Sequence, residues 1–97
     1  MQLDTHIIKL IKNYFLHKPV NKAYLFGSYA TGKANINSDI DIMVDLDYQN
    51  GIGLEFIKMN IDLNEALDVK VELVTTQSIS KYMAPKIESE KILIYER

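Results

Sequence analysis

Between Ser38 and Val44 the chain alternates acid with aliphatic: Asp39 and Asp41 are interleaved with Ile40, Ile42 and Val44. Successive side chains of a strand point to opposite faces, so a strand over 39–44 sets both carboxylates on one side and the aliphatic residues on the other. Such a strand needs a sheet with one covered face and one open, acidic face. Upstream, an apolar strand over 20–26 runs into Gly27-Ser28, where a glycine allows a tight turn and exposes backbone N–H groups to an anion.

The two stretches belong together. Two carboxylates on a rigid strand suit Mg²⁺, which is commonly held by one or two carboxylates along with substrate phosphates. A phosphate-holding turn beside them predicts metal-assisted nucleotide chemistry. Residues 28–32 are expected to form a short helical turn, whose N-terminus favours negative charge and where Ser28 adds a hydroxyl. Lys33, at the start of the polar connection 33–38, is a further candidate phosphate contact. With each residue type at about 5–7% usage, Gly-Ser-x10-Asp-x-Asp arises by chance in roughly one chain in a thousand of this length.

Other segments supply the frame. Leu3, Ile7, Ile8, Leu10, Ile11, Phe15 and Leu16 recur at helical spacing over 3–17, with Asp4 or Thr5 as cap and Lys18-Pro19 as stop. A two-glycine loop over 48–53 precedes a helix over 54–67, whose apolar face is read as Leu54, Ile57, Ile61, Leu63, Ala66 and Leu67, with Met59 assigned to packing. Asp68 to Val74 alternates as a third strand carrying Glu72 on its polar face, with Lys70 as a possible ion-pair partner. A mostly helical stretch over 75–90, interrupted at Pro85 and capped by Thr76 or Ser78, turns Met83 and Ile87 to the core, and a short strand over 92–95 follows. His6 and His17 stand alone, and Asp45 and Asp47 read as solvated strand-end residues. The order α-β-α-β-α-β-α-β predicts an α/β (α+β) domain with a mixed sheet covered by helices, a single domain over 1–97.

Composition narrows the function. The formal net charge is −2 with no basic run, so the electrostatic footprint of a nucleic-acid binder is missing. There is no cysteine, which excludes disulfides and thiolate metal sites. No apolar run approaches the roughly 20 residues of a membrane span, and no signal peptide opens the chain; the expected compartment is the cytoplasm. Ninety-seven residues hold one core but no separate acceptor-binding domain.

The run Gly27-Ser28-x10-Asp39-x-Asp41 resembles the signature of the DNA polymerase β-like nucleotidyltransferase superfamily, and the short chain is similar to its minimal (MNT) branch, commonly the antitoxin of a HEPN/MNT toxin–antitoxin pair. The resemblance runs from about residue 20 to 95 and is strongest at 25–45. It implies that Gly27 and Ser28 bind the nucleotide, with Lys33 a candidate beside them from its loop position alone, that Asp39 and Asp41 bind Mg²⁺ and act in catalysis, and that Glu72, in Val71-Glu72-Leu73-Val74, is the third carboxylate, catalytic or metal-bound. The family usually has aspartate there, and glutamate is longer by about 1.5 Å. Tyr29 stands where the family often has arginine, and is assigned to packing against a neighbouring helix. The implied activity is transfer of AMP from ATP to a hydroxyl, a tyrosine of a HEPN ribonuclease toxin. The alternatives are a non-catalytic antitoxin that acts by covering its toxin, and a nucleotidyltransferase acting on a small molecule.

Overall fold

The computed structural model describes residues 3–49 and 51–97. Asn50, in the expected 48–53 loop, and residues 1–2 of the expected domain lie outside the described residues. Among the described residues four helices alternate with four strands: α1 (Thr5–Phe15), β1 (Val20–Phe26), α2 (Ser28–Thr31), β2 (Ile40–Leu46), α3 (Glu55–Leu67), β3 (Val71–Thr75), α4 (Ala84–Glu90) and β4 (Ile92–Glu96). The strands form one mixed sheet in the order β3-β2-β1-β4. β1 is antiparallel to both β2 and β4, while β2 and β3 run parallel. A parallel pair needs a long crossover, and α3 provides it.

The alternation of β2 sorts the molecule into two faces. Ile40, Ile42 and Val44 are fully buried and join Ile11 and Phe15 of α1 and Met59 and Leu63 of α3 in one core. A register shift between Val20 and Lys22 in β1 brings Val20 onto the same side as Ala23 and Leu25. On the opposite face Phe26 and Met43 pack with Ile87 of α4 in a small second cluster. Asp41 and Glu72 lie on this second face.

Local chemistry explains the boundaries. Asp4 caps α1 by accepting the His6 N–H at 2.8 Å. Pro85 lies in the first turn of α4 and starts that helix, where its missing N–H costs nothing; it does not interrupt a longer one. Residues 76–78 and 81–83 form turns instead, joined by an irregular pair, with Ser78 bonded to Thr75 and Ser80 accepting the Met83 N–H, so neither Thr76 nor Ser78 caps a helix. Asp68, expected to begin β3, has φ 53° and ends α3 in the left-handed conformation. Asn64 then ties helix to strand: its amide donates to Val71 O at 2.9 Å and accepts from Val71 N at 2.8 Å.

Of the six residues expected on the apolar face of α3, only Leu63 and Leu67 reach the core, while Met59 packs as expected. Met59, Leu63 and Leu67 are buried, with Phe56 partly so, whereas Leu54, Ile57 and Ile61 are 78%, 57% and 52% exposed, and Ala66 is exposed too. Apolar residues cover more than one stripe of this helix, and the sheet can take only one. Ile87 is buried as expected, but Met83 is exposed. Tyr29 packs against the main core. His6 and His17 are exposed.

Candidate active site

β1 delivers the chain directly to the acids. Phe26 pairs with Asp41 across the β1–β2 ladder, so the end of β1 lies beside the start of β2. Gly27 follows at φ 74° and ψ −155°, a conformation that L-residues avoid. A Cβ at this position would also collide with Asp41 Oδ2. Gly27 O accepts the N–H groups of Ala30 and Thr31 at 3.0 and 3.1 Å, which winds Ser28–Thr31 into one helical turn. The N–H groups of Ser28 and Tyr29, in that first turn, have no acceptor within the helix.

One expectation is corrected here. The Gly27 N–H is already engaged, donating to Glu90 Oε1 at 2.9 Å. The donors that the turn leaves for a phosphate are therefore the Ser28 hydroxyl and the first-turn amides.

The parallel register of β2 and β3 sets Asp41 directly opposite Glu72. The Asp41 carboxyl is pushed up to about 6, first by burial, then by the negative charges of Glu72 and Asp39, by a hydrogen bond to Glu72, and least by the charge of Glu90. Asp39 stands one residue before β2 rather than inside it, with Oδ2 3.7 Å from Lys70 Nζ. That ion pair is largely solvent-exposed, hence weak and easily exchanged. It also takes Lys70 away from Glu72, the partner it was expected to have if Glu72 were only a surface residue.

A groove of about 480 Å³ brings Gly27, Asp41 and Glu72 together with Ser80, Lys86 and Glu90, while Ser28 and Asp39 adjoin its lining residues in sequence without lining it themselves. Lys33 is exposed in the α2–β2 connection and is not among the residues lining the groove. Asp45 lies inside β2, beside a neighbouring hollow of about 330 Å³, and Asp47 is bound by Arg97 at 3.0 Å. Lys86 and Glu90 escaped the sequence reading. Their spacing of four residues places both on one side of a helix, but nothing in the sequence says that this side faces the acids.

Among the described residues, no three acidic or histidine side chains are already gathered as a metal cage. Mg²⁺ does not require one, since it retains waters and shares its coordination with substrate phosphates. An all-oxygen donor set suits a hard divalent cation, and Asp41 and Asp39 are the residues that would hold it.

Residues 6–97 match the family described as polymerase beta, nucleotidyltransferase. The chain belongs to this nucleotidyltransferase family. Within it, the chain is 32% identical over 75 residues to the protein adenylyltransferase MntA of Thermococcus cleftensis, covering 77% of this chain and 75% of that protein. A Methanocaldococcus jannaschii relative, also named as a protein adenylyltransferase, is 36% identical over 88 residues, 89% of this chain and 85% of its own length. Among solved structures, a toxin–antitoxin crystal structure with AMP-PNP matches with a TM-score of 0.73 at 27% identity, covering 98% of this chain and 75% of that one. A complex of a tri-AMPylated Shewanella oneidensis HEPN toxin with an MNT antitoxin matches at 0.62 and 26% identity, over 95% and 68% of the two chains. The mixed sheet and its alternating helices are thus those of the nucleotidyltransferase fold.

Proposed function

We propose that this nucleotidyltransferase is an antitoxin that moves AMP from ATP onto a tyrosine hydroxyl of a HEPN-family toxin. The observation that carries the reading is the pairing of Asp41 with Glu72 beside the Gly27–Ser28 turn, in a groove on the sheet face that α4 covers only in part. Relatives named as protein adenylyltransferases, and neighbours solved with AMP-PNP or with an AMPylated HEPN toxin, support the same reading.

In this proposal Ser28 and the first-turn amides hold the phosphates, and Lys86 offers a cation from the groove. Asp39 and Asp41 are the Mg²⁺ ligands; when bound, the cation neutralises charge on the transferring and leaving oxygens. Glu72 orients the acceptor and takes its proton as the acceptor oxygen bonds to the α-phosphorus. The bond from that phosphorus to pyrophosphate breaks, and pyrophosphate leaves with the electron pair. Most of the rate enhancement is positioning and charge stabilisation. Lys33, exposed in the α2–β2 connection, is a further candidate phosphate contact from outside the groove.

The test is intact-mass analysis of the genomically neighbouring protein after incubation with this chain, ATP and Mg²⁺, beside an Asp39→Ala/Asp41→Ala control. A gain of one or more AMP units that disappears in the control is the expected result. A stable complex without any mass gain would replace the catalytic reading with an antitoxin that works by coverage. AMP appearing on a small hydroxyl compound with no protein acceptor would point to the small-molecule enzyme.

A further inference from the structure

We propose that Glu90 is a positioning residue for the phosphate-holding turn: its carboxylate pins the Gly27 amide, and so fixes the angle at which Ser28 and the first-turn amides meet the nucleotide. The inference rests on the nucleotidyltransferase reading above and goes beyond it to a residue on α4.

β1 pairs with β4 through Leu25 and Ile92, so continuing that antiparallel pairing by two residues would bring Gly27 opposite Glu90. There the chain is still helical, since α4 ends at Glu90. A backbone partner is therefore missing, and the Gly27 N–H would be left open at the end of its strand. The Glu90 side chain takes that place across 63 residues of sequence, at 2.9 Å. An ionised acceptor makes this bond stronger than a neutral one would be.

The support is itself held. Lys91 N–H donates to Ile87 O at 2.8 Å, Lys91 Nζ pairs with Glu88 at 2.9 Å, and the same ammonium lies 4.4 Å from the Tyr24 ring centroid. Ile87 is buried against Phe26 and Met43. The end of α4 is thus anchored to β1 and β2 by packing and by charge, and Glu90 carries that rigidity to the most flexible residue type in the chain. A turn free to swing displaces the phosphates, and small displacements in group transfer are costly.

Two other roles for Glu90 make different predictions. As a metal ligand, its replacement by glutamine would impair transfer while the Gly27 amide stayed protected. As a gate, it would leave Gly27 when the nucleotide arrives.

The experiment measures hydrogen exchange of the Gly27 amide by NMR, with and without AMP-PNP and Mg²⁺, together with steady-state AMP transfer to the acceptor identified by mass. In the wild-type chain the amide should be protected in both states. Glu90→Gln, whose amide oxygen still accepts the bond, should retain that protection and keep kcat/KM within about threefold. Glu90→Ala should lose protection and about tenfold to a hundredfold in kcat, with KM for ATP moved less than about threefold and Tm nearly unchanged. The inference is overturned if AMP-PNP deprotects Gly27, if Glu90→Ala is as active as wild type, or if Glu90→Gln is as impaired as Glu90→Ala while Gly27 stays protected. Should Glu90→Ala fail to fold, wild-type exchange and Glu90→Gln still decide. A wild-type chain with a protected Gly27 but no AMP transfer would refute the enzymatic reading and leave the contact standing.

Discussion

The two faces of the sheet are built to opposite specifications. The face under α1 and α3 is dry and aliphatic, with Phe15, Ile11, Ile40, Ile42 and Met59 fully buried. The face under α4 has a small apolar cluster and, immediately beside it, Asp41 and Glu72 in register with Glu90 near. One side maximises apolar area removed from water, worth about 1.5–3 kcal/mol for each large side chain fully buried. The other gathers like charges in a half-buried groove, which costs stability without metal and nucleotide. Stability and function thus sit on opposite sides of the same strands, and β2 serves both through its alternation.

That division is most directly broken from the stable side. Phe15→Ala removes a ring packed 5.8 Å from the Tyr14 and Tyr95 ring centroids and should cost about 3–5 kcal/mol in urea unfolding. Ile87→Ala, in the smaller cluster under α4, should cost clearly less. Equal losses would mean that both faces carry the fold alike.

From the functional side, Glu72→Gln preserves shape and removes the proton acceptor. AMP transfer should fall about a hundredfold, equivalent to about 2.7 kcal/mol, with Tm unchanged or raised. A drop in Tm would show that Glu72 contributes to the fold instead.

Asp41→Asn is the sharper version, because it predicts a gain in stability with a loss of activity. Asp41 is raised to about 6 from an ordinary 3.8, so the folded state holds this proton more tightly than the unfolded chain does. Its contribution to stability is therefore present below pH 4 and is lost as pH rises through 6. Without metal at neutral pH, Asp41→Asn should stabilise by on the order of 1–2 kcal/mol, allowing for solvent screening of a half-buried group. The gain should vanish at pH 4, and Mg²⁺ with AMP-PNP should stabilise the wild type and not the variant. Thermal melting across pH 4–8 reads all three outcomes.

The smallest effect is expected on the outer side of α3. Ile57→Ser changes an exposed residue and should shift stability within about 0.5 kcal/mol, in contrast to several kcal/mol for Met59→Ala. A large effect at Ile57 would mean that this stripe is covered.

Much of the fold was legible because its elements announce themselves locally. β1 reads as a strand entering a glycine turn, and β2 reads as one open and one closed face. The eight elements come in the expected order. Errors fell where local pattern was ambiguous. α3 is apolar on more than one side, so Ile57 and Ile61 were as eligible for the core as Met59 and Leu63. Asp68 sits between a helix and a strand, and its left-handed backbone follows from how α3 must stop to let β3 pair with β2.

The site divides in the same way. The Gly27–Ser28 turn and the closeness of Asp39 to Asp41 were legible in the sequence, because each depends on residues adjacent along the chain, although Asp39 ends up just before β2 and not inside it. The sequence also supplied Glu72, through the alternation of β3. Only the tertiary structure decided that Glu72 faces Asp41 across a parallel register, that Lys70 reaches Asp39, and that α4 brings Lys86 and Glu90 to the groove. The physical reason is that hydrogen bonds and charge interactions act over a few ångströms in space. A contact between Gly27 and Glu90 leaves no periodicity along the 63 residues that separate them.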